Sequence, residues 1–226
     1  MDSGFPSRVM HRHLIPLLSA GAVALVPKSA LAHPASPLAR SDLWSAWSWE
    51  PAVVVLLVAS GALYIAGVGR LWSKGVGTGI RVWEASAFGA GWLAAALALV
   101  SPLHALSGSL FSAHMAQHEV LIAVSAPLLV LGRPVIPFLW AVPPGWRSGI
   151  GRATRTSVVS ALWSVLTRPS VAFALHAIAL WTWHLPGPYQ ATINSELTHS
   201  LQHLSFVSTA LLFWWTVFGA RYSMLG

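Results

Sequence analysis

The sequence predicts an all-α integral membrane protein, a helical bundle of about five transmembrane helices after an N-terminal signal peptide. Three observations predict it. Of 226 residues, 55% are hydrophobic and 8% charged, whereas soluble domains carry about a quarter charged residues. Several apolar runs reach roughly 20 residues, the length that crosses a ~30 Å hydrocarbon core. The alternating segments of ~10 residues that build a membrane barrel are missing. The chain also has no cysteine, so disulfides, thiolate metal sites and thiol redox chemistry are excluded.

The elements follow in order. Residues 1–32 read as a secretory signal: Arg8, His11, Arg12 and His13 precede an apolar stretch, and Ala30-Leu31-Ala32 fits a small-x-small cleavage site. Pro16, Pro27 and Lys28 keep an uncleaved anchor open as the alternative. Cleavage after Ala32 would start the mature chain at His33, an amine-plus-imidazole end able to chelate copper. Residues 33–50 form a short periplasmic segment ending in the interfacial tryptophans Trp44, Trp47 and Trp49. Residues 51–226 are the bundle, with spans expected at 51–68, 82–100, 110–131, 169–184 and 197–218. Ala87, Gly91, Ala95 and Ala98 give the second span a stripe of small residues that lets a neighbour approach closely. An outer turn at 101–109 carries Pro102 and His104. Residues 135–142 are too short to cross and are broken by proline, so they should lie at the interface or re-enter. An amphipathic lead-in at 158–166 precedes the fourth span, which has Pro169 in its first turn. Asn194-Ser195-Glu196 supplies a cap and a first-turn acid for the last span. Most of the tryptophans lie near span ends and read as a belt, with Trp181 and Trp183 also placed for quinone or haem contact.

Orientation follows from charge. The net charge of +7 reads as cationic cytoplasmic loops, not as a nucleic-acid surface. Of ten Lys and Arg after residue 32, nine fall in alternate loops, and only Arg40 lies on the other side. This bias and the signal peptide agree in placing the mature N-terminus outside and Arg221 in the cytoplasm.

Two histidine pairs carry the chemistry. His114 and His118, like His199 and His203, stand four residues apart on one helix face. Imidazoles inside a membrane are costly and mark a partner or a task. A metal site needs neutral imidazoles within ~2.0–2.1 Å of a shared ion, and two pairs at matched depth can supply four ligands, or three with an open position. His184 and His104, at the same outer ends, are secondary candidates. His176 is eight residues before His184, about 12 Å deeper by helical rise. Glu119 could balance charge or pair with a histidine, and Gln117 and Gln202 could orient rings. Met115 points ~100° away from His114 and reads as a packing residue. Imidazole suits copper, zinc, iron and nickel alike, so spacing leaves the metal open. A zinc-protease reading fails, because Met115 and Ser200 stand where that motif requires Glu. Haem, bound by one imidazole from each of two facing helices, is the alternative, although the doubled spacing would then be redundant.

At these residues the chain resembles the CtaG-type (caa3-type) cytochrome c oxidase assembly factors, over roughly residues 45–226. The likeness rests on an ordered set of motifs. Ser101-Pro102 comes first, followed by Phe111 to Glu119 (FSAHMAQHE) and Ala126 to Pro134 (APLLVLGRP). Trp183-His184-Leu185-Pro186, Tyr189, His199 to Phe206 (HSLQHLSF) and Phe213-Trp214-Trp215 complete it. The resemblance implies a multi-pass protein of the bacterial inner membrane that matures haem-copper oxidase at its copper-loading stage. Its partners would be membrane lipid and cytochrome c oxidase subunits, with no nucleic acid. Copper is then the expected ion, held or delivered at a periplasmic-side site of His114, His118, His199 and His203, with His184 and His104 beside them. No catalytic residue is expected. A haem-binding redox carrier and a copper-uptake permease are the rival readings, and the permease needs inward ligands, for which only His176 stands. An unrelated single-span copper chaperone that shares the CtaG name works through cysteines, which this chain lacks. Members of the resembled family typically continue through further spans beyond the point where this sequence ends.

Overall fold

The computed structural model describes residues 43–223, with side chains for 44–219. The signal-peptide expectation for 1–32, the mature start at His33 and the position of Arg40 lie outside the described residues. Within them the chain is helical throughout, without a strand.

A single 3-10 turn at Leu43–Ser45 leads to α1 (Pro51–Trp72), whose first-turn proline lacks only an N–H that a helix start leaves unpaired anyway. Val55, Leu56, Val58, Leu63 and Ile65 face outward from α1. So much exposed apolar side chain would be a liability in water, but against lipid it is the ordinary outer surface. The interior is correspondingly polar in places: Glu84, Gln117, Gln202 and five histidines are buried.

In α2 (Val82–Val100) the Glu84 carboxylate accepts the Arg81 N–H at 2.8 Å and closes the helix start. Gly91, Ala95 and Ala98 are buried, as the small-residue stripe requires. A Cβ on Gly91 would come within 2.8–2.9 Å of the Leu129 nitrogen and the Ser125 carbonyl, so only glycine permits this approach. Ser125 Oγ uses the proximity to donate to the Gly91 carbonyl at 2.8 Å. The outer turn after α2 is a short helix, α3 (Pro102–Ser107), with Ser101 Oγ accepting the Leu103 N–H at 3.3 Å.

The third span comprises α4 (Phe111–Glu119), a widened π-helical turn (Val120–Ser125) and α5 (Ala126–Leu131), 21 residues in all. Pro127 accounts for the need. It has no N–H to give its turn, so a carbonyl is left over in hydrocarbon, where water cannot pair it. The Ala126 N–H bonds five residues back to Leu121. In that register Pro127 would have served Ile122, and Trp214 Nε1 donates to the Ile122 carbonyl instead, at 2.8 Å.

Gly132-Arg133-Pro134 ends the span, with Arg133 in the left-handed region at φ 48°. The short segment that should lie at the interface or re-enter is α6 (Val135–Ala141), packed along α1. Gly67 lets it in: a Cβ there would collide with the Pro137 backbone. Arg70 donates to the carbonyls of Trp140 and Ala141 at the end of α6, and Arg147 donates to Trp140 at 2.7 Å and Val142 at 2.9 Å. Glu84 faces Arg133 at 3.5 Å in the same region. The ends of α1, α2 and α5 that carry these cations pack through Tyr64, Val68, Leu71, Ile80 and Phe88. Tyr64 and Phe88 stack at 3.6 Å.

Next come α7 (Pro144–Thr154), α8 (Ser157–Leu166) and α9 (Pro169–His184). The amphipathic lead-in does not extend the fourth span in line: α8 is bent by 71° from α9 at the Thr167-Arg168-Pro169 break. At 16 residues α9 rises about 24 Å, short of a full crossing by itself. The chain continues through α10 (Pro186–Asn194) into α11 (Glu196–Ser223), where Ser195 Oγ accepts the Thr198 N–H at 3.3 Å. Among the described residues four helices are long and apolar enough to cross a membrane, or five if the bent α8–α9 pair is one span. The molecule is a multi-pass membrane bundle.

Candidate metal centre

The centre is built by α4 and α11, which turn their two HxxxH faces toward each other. Along each helix the i,i+4 rings sit one above the other: His114 and His118 have centroids 4.3 Å apart, and so do His199 and His203. Across the interface His114 lies 5.5 Å from His199 in a near-parallel stack, and His118 lies 5.3 Å from His203, edge to face. All four are buried. One ligand atom from each of His114, His118 and His199 falls within 4.8 Å of the others, close enough to share one ion after small rotamer adjustments.

The polar accounting points the same way. His114 Nε2, both nitrogens of His118 and His203 Nε2 are buried without a hydrogen-bond partner. Buried polar groups are almost always paired, because each unmet one costs about 1–3 kcal/mol. Gln117 Oε1 and Gln202 Oε1 are buried without a partner as well, so the unmet polar atoms are imidazole nitrogens together with two amide oxygens, and the imidazole nitrogens fit a donor set for a ligand.

The two secondary candidates separate by their hydrogen bonds. His104, on α3, is buried and stacks on His199 at 5.5 Å. Its Nδ1 lies 3.0 Å from Gln117 Nε2, which also donates to the Ala98 carbonyl at 2.9 Å. A carbonyl can only accept, so the Gln117 amide nitrogen must point this way, and its second hydrogen goes to His104 Nδ1. The Nδ1 lone pair is thereby used and the proton of neutral His104 sits on Nε2, so His104 is a poorer ligand than its position suggests. Gln117 orients a ring, as its place in the sequence hinted, but the ring belongs to another helix. His184, at the end of α9, is exposed, and its Nδ1 donates to the Leu180 carbonyl at 2.6 Å. That bond leaves the lone pair on Nε2, the arrangement of a metal-ready imidazole. Its ring stacks on Phe206 at 6.2 Å, and Phe206, fully buried, meets His118 at 4.8 Å. His184 is thus at the margin of the cluster.

Other expected contributors lie elsewhere. Glu119 is exposed and outside the ring cluster. His176 donates from Nδ1 to Thr209 Oγ1 at 2.9 Å and stacks on Phe213 at 6.0 Å, a histidine satisfied by its neighbours. Trp183 donates to Ser205 Oγ at 2.7 Å, and Trp92 donates to the Leu57 carbonyl at 3.0 Å, so these indoles, like Trp214, tie helices together. Tyr189, a residue of the resembled motifs with no role evident from spacing, sits edge-on to His114 at 6.0 Å. It lines a cavity of about 390 Å³ with Ser107, Phe111, Thr192, His114 and His199, which opens the cluster to the end of the bundle formed by α3 and α10.

A multi-pass helical membrane protein with a buried four-imidazole cluster between two spans is the class that fold and site define. Residues 62–224 match the family described as cytochrome c oxidase caa3 assembly factor (Caa3_CtaG), and the chain belongs to that family. It is also similar to an uncharacterized protein of Mycobacterium leprae, 24% identical over 187 residues that cover 78% of this chain and 27% of the relative. Uncharacterized proteins of Mycobacterium bovis and Mycobacterium tuberculosis are each 27% identical over 139 residues, covering 57% of this chain and 20% of theirs. The chain thus spans only about a quarter of the length of these curated relatives, or less. No solved structure matches.

Proposed function

We propose that this protein holds a copper ion at His114, His118, His199 and His203 and passes it to a cytochrome c oxidase subunit during assembly. The observation that carries the reading is the convergence of two HxxxH helices on one buried point, with ligand atoms of three histidines within 4.8 Å. The donor set fits a borderline or soft ion, because imidazole is its sole ligand type. Membership of an oxidase assembly family supports an oxidase subunit as the recipient, and copper among the metals that imidazole accepts is the ion this reading takes.

Each residue has a role in that scheme. The four imidazoles hold the ion and Phe206 seals the inner side against His118. Exposed His184, its Nδ1 held by the Leu180 carbonyl, is the ligand that meets ion or partner at the margin. The asymmetry of Lys and Arg supports a cluster on the periplasmic side of the inner membrane, with Arg70, Arg133 and Arg147 in the cytoplasmic half. The task is binding and transfer, not catalysis.

The haem reading gains nothing from the geometry. Four rings in mutual contact at 4.3–5.5 Å leave no plane for a macrocycle between any two without displacing the others. A permeation path is equally unsupported, since His176 is bonded to Thr209. The test is a deletion strain complemented by wild type or by His114→Ala. The proposal expects oxidase copper content and activity to return with wild type alone. Full return with a normally accumulated His114→Ala protein would refute it.

A further inference from the structure

We propose that α7 and the arginines that follow it form a binding surface for the anionic headgroups of the bilayer that the spans cross. The surface lies at the end of the bundle away from the histidine cluster. There α9 begins at Pro169 and rises about 24 Å to His184. Trp163 of α8 meets Trp215 at 5.8 Å, and Trp215 stands about 18 Å beyond His203 along α11. The 71° bend between α8 and α9 means that, with α9 upright, α8 runs nearly along the membrane surface. Neither α7 nor α8 has a buried residue, so the connector takes no part in the core.

The two faces of α7 differ in chemistry. By helical periodicity Trp146, Ile150 and Ala153 fall within about 60° of one another, and Ser148, Arg152 and Arg155 fall ~130–170° away. Trp146 is 72% exposed and Ile150 40%, so the described residues leave the apolar face uncovered. The other face is cationic without compensation. From residue 120 to 195 the chain has five arginines and no Asp, Glu or Lys. Arg133 faces Glu84, and Arg147 donates to the Trp140 and Val142 carbonyls. Arg152, Arg155 and Arg168 are exposed, and no described side chain pairs with them. A helix with an aromatic-apolar face and an arginine face settles in the headgroup layer, apolar side toward the acyl chains. Uncompensated cations at that depth select negative headgroups, since each basic side chain at an anionic surface gains about fivefold. An acidic peptide could pair with the arginines too, but the bilayer is already at this depth and meets both faces of α7 at once.

The chain has no native cysteine, so a single thiol-linked fluorophore reports without background. The full chain carrying Ile150→Cys, Ser148→Cys or the lipid-facing control Ile65→Cys, where the native side chain is 74% exposed, is labelled and reconstituted in vesicles of phosphatidylcholine and phosphatidylglycerol. Acyl-chain bromines, which quench on contact, are carried by one of the two lipids at a time. At Ile150 brominated phosphatidylglycerol should quench at least ~3-fold more per mole than brominated phosphatidylcholine. The bias should fall to parity in Arg152→Gln/Arg155→Gln and at ~1 M salt, and be missing at Ile65. The Ser148 probe, on the opposite face, should be quenched more weakly than Ile150 by both lipids. Equal quenching by the two lipids at Ile150 would overturn headgroup selection. No quenching there by either would mean that protein or water covers α7 and would overturn the surface itself. A bias that survives in the folded double variant would overturn the arginines as its source.

Discussion

Replacing His118 by leucine separates a functional histidine from a structural one by the sign of its effect. The ring is 4% exposed and neither nitrogen has a partner. In the neutral ring one nitrogen is a donor and the other an acceptor, so the metal-free protein buries two unmet polar groups. Each costs about 1–3 kcal/mol in a folded core. The membrane discounts this, since the unfolded reference also finds partners for its polar groups. Leucine removes both nitrogens and keeps an apolar contact with Phe206, whose ring is 4.8 Å from that of His118. Metal-free His118→Leu should therefore be more stable than wild type by about 1–2 kcal/mol, although it loses metal. Unfolding by a denaturing detergent titrated into mild-detergent micelles, with chelator present, measures the difference. Destabilisation of the metal-free variant by more than about 1 kcal/mol would refute the reasoning, because it would mean that the ring is anchored by a bond to protein or buried water.

The remaining predictions concern the frame that holds the two pairs in register. Trp214→Phe deprives the Ile122 carbonyl of its donor beside Pro127 and should cost about 1–2 kcal/mol in the same unfolding assay. The matched control Trp181→Phe, at a position 76% exposed, should stay within about 0.5 kcal/mol of wild type, and equal effects at the two sites would remove the assigned role of Trp214. Gly91→Val would drive a side chain into the Ser125 and Leu129 backbone and should cost about 1–3 kcal/mol, with loss of bound metal as the α2–α5 contact opens. Wild-type stability in that variant would contradict the close approach.

Much of this was legible in the chain because it depends on short-range pattern. Apolar run length located α1, α2, the third span and α11, and proline and charge located their ends. The four-residue histidine spacing fixed which imidazoles share a face. What escaped depends on partners distant in sequence. The π-helical turn follows from Pro127, yet it is satisfied by Trp214, which in sequence reads as one more belt tryptophan. His104 was placed by depth alone, and its loss of a free Nδ1 lone pair required the meeting of Gln117 with Ala98 and α3. The lead-in at 158–166 has the right composition to lengthen the fourth span, but composition does not encode the 71° bend. Glu84 stands in the chain as a lone acid in an apolar run; it caps the start of α2 locally, and its facing of Arg133 depends on a residue 49 positions away.

The central claim is that His114 and His199, from helices far apart in sequence, hold one ion together. Copper per chain, measured on detergent-purified wild type, His114→Ala and His199→Ala, tests it most directly. The account predicts copper in wild type and a fall in affinity of at least ~10–100-fold in each folded variant, the loss expected when even a supporting metal-site contact is removed. Both variants retaining the full wild-type copper content would contradict it.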